Sequence, residues 1–322
     1  MQKVKASPDR RRRFRKRGNP AAQPASGVWY PGWFWPSFAA PAMLWLAVLF
    51  VLPFYVILSV ALGTVHPIFL SPLPVWQPWY WSTEHVEDAV GKIVGPDAFL
   101  QPVFLRTFLY VAAATTLCIV IGYAVAYFVA RYGGRRKALF LVLLIAPFWI
   151  SYLMRMVAWQ GLLQGDGYVN RLLTATHVLG EPYNWLQGRP ITVILALVYG
   201  YIPYMILPLY GQLDRIGQNL LEAGRDLGAS PLRTFFRVTL PLSKQAILAG
   251  TVIVALPMFG DYYTNDLVGS SKTSMIGNII DDAVNSTGQG PEAAVFVLIL
   301  MLILLVPLLY YLRSTAKAVG SA

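Results

Sequence analysis

Charge-free stretches divide this chain. Residues 107–130, 190–213 and 293–312 contain no Asp, Glu, Lys or Arg and are strongly apolar. A helix of about 20 apolar residues reaches across the hydrocarbon core of a bilayer, so each is a predicted membrane span. Residues 138–154 and 245–260 are shorter but as apolar, and they reach spanning length where they run into the interface. The uncharged region 18–83 is too long for one helix. Its Pro-rich parts, 19–36 and 67–78, suit loops. The apolar run 40–62 between them suits a helix, with Pro53 as a kink that a membrane helix tolerates. The pattern predicts six spans in an all-α integral membrane protein.

Composition narrows the class. Of 322 residues, 56% are hydrophobic and 13% charged, against the roughly 25% charged residues usual in a soluble domain. Mean hydropathy is +0.53. These values argue against a soluble enzyme, and the chain is far too apolar for disorder. A lone cysteine, Cys118, excludes an internal disulfide and a cysteine metal cluster. His66, His85 and His177 are scattered, so no metal constellation is visible.

The net charge is +11, and the distribution of its Lys and Arg sets the orientation. With both termini in the cytosol, 20 of the 26 Lys and Arg residues fall inside, and only Lys92, Arg106, Arg155, Arg171, Arg189 and Lys272 fall outside. Lys and Arg accumulate on the cytosolic side of membrane proteins, so the reverse orientation is rejected. The acids go the other way, with only Asp9, Asp214, Glu222 and Asp226 inside. The expected organisation is a basic cytosolic tail over 1–36, a six-span domain over 37–312 and a short cytosolic tail over 313–322. The run Arg10–Arg13 with Arg15, Lys16 and Arg17 has the charge to meet nucleic acid or anionic lipid. The positive-inside rule alone accounts for it, so it is read as a disordered tail that fixes topology, with no nucleic-acid partner. It is not a signal peptide: the apolar run starts over 20 residues later and shows no small-residue cleavage site. Outside, the loop 63–105 carries Trp76, Trp79, Tyr80 and Trp81. These fit an aromatic belt at the headgroup level or a docking surface for an external partner.

The cytosolic segment 213–243 is long for a connection and too apolar for a floppy loop. Leu220, Leu221, Ala223, Gly224 and Leu227 recur at near-helical spacing, which predicts a short helix with an apolar face. Gly228 is placed to end it in the left-handed conformation. Ser230 and Pro231 read as N-cap and first residue of a second helix, with Leu232, Phe235 and Phe236 on its apolar face and Pro241 breaking the pattern before the fifth span. A helix–Gly–helix element with exposed apolar residues needs a cover. An amphipathic helix lying on the bilayer is one reading, but Glu222 and Asp226, one helical turn apart, face anionic lipid poorly.

Glu222-Ala223-Gly224, Gly228 six residues after the Glu, and Val238-Thr239-Leu240-Pro241 resemble the EAA loop of binding-protein-dependent ABC-transporter permeases. The pattern there is Glu-Ala-Ala, three residues, Gly, nine residues, Ile-x-Leu-Pro. Gly224 replaces the second Ala and Val238 the Ile; the spacing matches throughout. Further segments resemble the spermidine/putrescine branch. One is Ala146-Pro147-Phe148-Trp149 with Ser151, Leu153, Arg155 and Ala158-Trp159; the others are Gly260-Asp261-Tyr262, Leu267-Val268-Gly269 and Met275-Ile276-Gly277-Asn278. The resemblance covers roughly residues 40–312.

It implies a type I ABC-importer permease fold in the bacterial cytoplasmic membrane. Its implied partners are cytosolic ATPase subunits, a second and related permease chain, an external substrate-binding protein and the lipid bilayer. It implies that Glu222, Ala223, Gly224, Asp226, Leu227 and Gly228 form the coupling helix seated on the ATPase. ATP and Mg would be bound by those ATPase subunits. This sequence has no phosphate-binding loop of its own, since Gly133-Gly134-Arg135-Arg136-Lys137 lacks the spacing. Asp261, Tyr262, Arg155 and Trp159 are candidates for the translocation path. Asp261 reads either as a carboxylate for a cationic solute or as an interfacial residue. Arg155 reads as structural, paired with an acid, and Trp159, Tyr262 and Tyr263 have the rings to hold an ammonium group. The expected function is a non-catalytic permease for polyamines. The rivals are a permease for another small solute, a membrane-embedded enzyme, or a secondary transporter.

Overall fold

The computed structural model describes residues 33–96 and 98–320. The basic run Arg10–Arg17 lies outside the described residues, as does the predicted tail up to residue 32. The chain divides at Pro53 into two compact units. The first contains the start of α1 (Phe34–Ala61), which takes in Pro41 and Pro53 without ending. This helix starts inside the predicted tail, six residues ahead of the apolar run.

The second unit, from Phe54 onward, is helical apart from a short antiparallel pairing of β1 (Thr64–Val65) with β2 (Pro72–Leu73). Its long helices are α3 (Gln101–Tyr132), α7 (Pro190–Arg215) and α14 (Gly290–Gly320). With α1 they make, among the described residues, four helices long and apolar enough to cross a membrane. Two bent helix pairs bring the number to six where each pair counts as one span. Between Gly134–Trp149 and Tyr152–Ala175 the axis turns by 87°, and between Pro231–Leu242 and Lys244–Phe259 by 62°. The predicted third span, 138–154, is therefore not one helix. It runs as α4 (Lys137–Ile145) into a 3-10 turn, stops at Ile150, and restarts as α5 (Tyr152–Leu163). Pro147 cannot donate to the preceding turn, and Ser151 caps the new helix by accepting the Met154 N–H.

The core is built on α3 and α7, which pack along one another, with α11 (Lys244–Phe259) against both. Small residues permit the close approach. Met205 on α7 is fully buried, and a Cβ at Gly122 of α3 would lie 3.0 Å from its Cγ, one at Gly250 of α11 2.6 Å from its Sδ. Gly250→Val therefore overpacks this three-helix junction. The expected cost is about 1–3 kcal/mol, read as a lower unfolding temperature in detergent. Gly211→Ala, inside α7 where an added Cβ meets nothing, should hold or raise that temperature, since Ala is the better helix residue.

Polar contacts between distant segments join residues assigned to the same side of the membrane. Lys137 pairs with Asp214 at 2.6 Å, and Arg131 Nη1 donates to the Ile216 carbonyl; all four are predicted cytosolic. Lys92 pairs with Glu292, and Arg106 donates to the carbonyls of Lys272 and Ser274; all are predicted external. The external loop 63–105 is more ordered than its composition suggests. It contains α2 (Glu84–Val94), whose Ala89 is buried with Val86 and Ile93 against the core. Trp81 Nε1 donates to the Val75 carbonyl, while Trp76, Trp79 and Tyr80 stay exposed. Between α5 and α7, α6 (Tyr168–Ala175) carries buried Asn170. Its amide bonds the backbone of Gln164, Gly165 and Tyr183 and the Trp185 indole, tying the second external loop together.

Candidate functional site

The cytosolic loop folds as the two predicted helices. The first, α8, spans Gln218–Asp226. Gly228 follows at φ +81°. Its N–H reaches the Arg225 carbonyl, and the Ala229 N–H reaches the Gly224 carbonyl. That pair of bonds is the Schellman closure of a helix, which needs a left-handed residue after the cap. Ser230 then caps α9 (Pro231–Thr234) by accepting the Arg233 N–H. A π-helical turn over Phe235–Thr239 and α10 (Leu240–Leu242) carry the chain to Ser243, where the 62° bend falls. The break comes two residues after Pro241, which is accommodated in the first turn of α10.

The predicted apolar face of α8 splits in two. Leu221 and Gly224 turn inward: Leu221 packs on the core, and Gly224 lies over Thr234 with 3.4 Å of room for a Cβ. Alanine would fit there, so the departure from Glu-Ala-Ala is structurally mild. Leu220, Glu222, Ala223, Asp226 and Leu227 point out, with Leu227 89% exposed. The exposed surface thus joins two leucines, two carboxylates and a small residue on one two-turn helix. Beneath it the loop is fastened to α3. Phe235 meets the rings of Tyr123 and Tyr127 edge-on at 5.5 and 5.8 Å, and the Tyr123 and Ser243 hydroxyls share a hydrogen bond of 2.9 Å. Leu232 and Phe236 of the second helix remain exposed.

At the other end of α11 lies a buried polar cluster. Asp261 is 6% exposed and sits in the corner between α11 and α12 (Tyr263–Val268). Its Oδ1 accepts the Thr264 N–H at 3.0 Å, and Oδ2 accepts from the hydroxyls of Thr264, Tyr152 and Tyr201. One carboxylate thereby joins α5, α7 and the α11–α12 corner. Two glycines make room. A Cβ at Gly200 would lie 2.7 Å from the Tyr152 ring, and one at Gly277, at the start of α13 (Ile276–Asn285), 2.8 Å from the Asp261 carbonyl oxygen. Tyr152, Tyr201 and Thr264 were not singled out from the sequence. The only local signal was the Asp-x-x-Thr spacing of a helix cap; the tyrosines come from distant elements.

Arg155 is also 6% exposed. Its guanidinium lies over the rings of Phe148, Tyr152 and Tyr199 at 4.4, 5.4 and 5.8 Å. Arg155 and Trp159 line one cavity of about 440 Å³, and Trp159 also packs on Tyr199. Tyr262 is not among that cavity's lining residues. It stacks on Tyr263 at 4.1 Å, and its carbonyl accepts from Asn278, whose amide also bonds Asp266. Burial pushes the Asp266 carboxyl above its ordinary value, and the Asn278 hydrogen bond acts the other way. Of the four path candidates the fold thus joins Asp261 to Arg155 through the Tyr152 ring and puts Trp159 beside Arg155. Among the described residues no cluster of His, Cys, Asp or Glu could hold a metal ion.

Residues 114–314 match the model of the binding-protein-dependent transport system inner membrane component. The chain belongs to this family. The stretch holds α7, the 213–243 loop and both ends of α11. The chain is 36% identical over 220 residues to the spermidine/putrescine transport system permease protein PotB of Escherichia coli strain K12, covering 67% of this chain and 80% of that protein. The protein of the same name from Haemophilus influenzae is 37% identical over 199 residues, 62% of this chain and 69% of that one. The inner membrane ABC transporter permease protein YdcU of Escherichia coli is 32% identical over 227 residues, 66% of this chain and 72% of its own. Among solved structures, a bacterial ABC transporter involved in the import of the acidic polysaccharide alginate superimposes with a TM-score of 0.67. It does so over 88% of this chain and 96% of the other, at 15% identity, which supports the shared permease fold and nothing about solute. The protein is an ABC-importer permease, and like its family it is an inner-membrane component.

Proposed function

We propose that this permease forms the translocation path of an ATP-driven polyamine importer and couples to a separate ATPase through the 213–243 loop. The observation that carries the reading is the exposed face of α8, held by the Gly228 closure and fastened to α3 through Phe235. An amphipathic two-turn helix with Leu227 outward fits a protein groove, where an apolar anchor is ringed by polar contacts. The polyamine assignment rests on the identity to the spermidine/putrescine permeases.

The mechanism follows from the connectivity. α8 would ride on the ATPase. Its motion passes through α9, the π-turn and α10 into α11, whose 16 residues extend about 24 Å to the Asp261 corner. That corner grips α5 and α7 through Tyr152 and Tyr201. Closure of the ATPase pair on ATP would so be converted into a shift of the helices that wall the path. Of the four candidates, Tyr262 and Trp159 would belong to the wall this chain contributes, opposite a second permease subunit, with solute delivered by an external binding protein. ATP and Mg²⁺ would be held by the ATPase subunits, and this chain would have no catalytic role.

The test is the ATPase activity of the importer reconstituted with its binding protein. Spermidine or putrescine should raise turnover several-fold over the solute-free rate. Stimulation by a different solute class alone would remove the polyamine assignment and leave the importer. Failure of any ATPase to co-purify with the folded chain would remove the coupling role.

A further inference from the structure

Arg155 and Asp261 are the two buried charged side chains among the described residues. Asp261 has four donors around it; Nε and Nη1 of Arg155 have no acceptor among the described residues. Its Nε and Nη1 are buried and make no hydrogen bond, and no carboxylate of the described residues forms an ion pair with it. The Tyr152 ring stands between the two charges, with its face to the guanidinium and its hydroxyl bonded to Asp261. The rings around Arg155 attract the cation but accept none of its in-plane N–H bonds. The guanidinium borders the cavity of about 440 Å³, with Pro147, Ile150, Met154, Trp159 and Tyr199 among its other walls. At its rim Ile150 and Met154 are 56% and 60% exposed. The site is an apolar rim around a cationic floor whose Nε and Nη1 are buried and unsatisfied. Its complement is a carboxylate, which receives a guanidinium through two parallel hydrogen bonds, carried on an apolar surface.

We propose that Arg155 anchors the interface with the second permease subunit, which inserts an Asp or Glu side chain into this cavity to pair with the guanidinium. The inference rests on the reading that the importer contains two permease subunits. The solute is a poor occupant on that same reading, because a polyamine is a polycation and Arg155 repels it. The apolar rim selects an apolar helix face that excludes water around a central charge pair.

Two measurements on the importer purified from membranes decide it. The first places a photocrosslinker at the rim by Met154→p-benzoylphenylalanine, leaving Arg155 intact. The expected product joins this chain to a peptide of the second permease that contains Asp or Glu. Crosslinks confined to lipid, which would point to a headgroup phosphate as the occupant, overturn the proposal. The second compares Arg155→Met and Arg155→Lys in the tagged chain. Recovery of the second permease should fall at least tenfold with Met and by less with Lys, which keeps the charge but not the paired hydrogen bonds. Full recovery with Arg155→Met, or an equal loss with Met and Lys, overturns it. If the wild-type chain itself brings down no second permease, the two-subunit reading fails, and the inference fails with it.

Discussion

Gly228→Val should abolish most solute-stimulated ATP turnover while leaving the membrane core intact. Gly228 sits at φ +81°, where an L-residue pays about 1–2 kcal/mol and a β-branched one more. A Cβ there would meet no atom within 4 Å, so the effect is backbone strain alone. The loop relieves that strain by giving up the Schellman closure. The bonds from Gly228 to Arg225 and from Ala229 to Gly224 open, and the last turn of α8 unwinds. That turn carries Asp226 and precedes Leu227, so the exposed face loses its shape where it would enter the ATPase groove. Stimulated turnover in reconstituted complexes should drop at least tenfold, with solute binding to the binding protein and the unfolding temperature of the permease nearly unchanged. Asn, which tolerates the left-handed region, should fall least, then Ala, then Val. Wild-type turnover with Val would show that the closure does not matter for coupling.

That loop was readable because its signals are local. Gly228, Ser230 and Pro231 each do in the fold what their chemistry prescribes at that spacing, and the charge-free runs fall on the four long helices and the two bent pairs. The failures have a different origin. The third span, 138–154, read as continuous because apolarity has no direction; the 87° turn is set by Pro147 and by the Ser151 cap, signals that look minor inside a hydrophobic run. α2 was missed because its buried face amounts to Val86, Ala89 and Ile93 among charged neighbours. Its stability comes from docking, including the Lys92–Glu292 pair 200 residues apart. The donors to Asp261 come from three elements, and Tyr152 lies 109 residues from it in sequence. Residue type marked Asp261 and Arg155 as notable, but only the fold separates one with a full set of donors from one without an acceptor.

That distinction gives Asp261→Ala a large expected effect on stability. Removing the carboxylate takes the acceptor from the Tyr152 and Tyr201 hydroxyls and from the Thr264 N–H and hydroxyl, leaving the Tyr152 and Thr264 hydroxyls only each other, at the junction of α5, α7 and the α11–α12 corner. A buried polar group left unsatisfied costs about 1–3 kcal/mol. The four losses are not additive, since neighbours in one network share relaxation, but a total of several kcal/mol is expected, read as a strongly lowered unfolding temperature in detergent. Asp261→Asn keeps one acceptor and should fall in between. The comparison separates the two roles the sequence left open. A residue acting only as a counter-charge for a cationic solute predicts that Asn leaves stability alone and removes transport. A residue joining three helices predicts that Asn lowers stability, and that Tyr152→Phe reproduces part of the loss. Combined with Asp261→Asn, Tyr152→Phe should then cost less than the two changes taken separately, by about 0.5–3 kcal/mol. The geometry favours the second outcome. Four donors of the chain already occupy the carboxylate, so one that faced solute would first have to release the helices it holds.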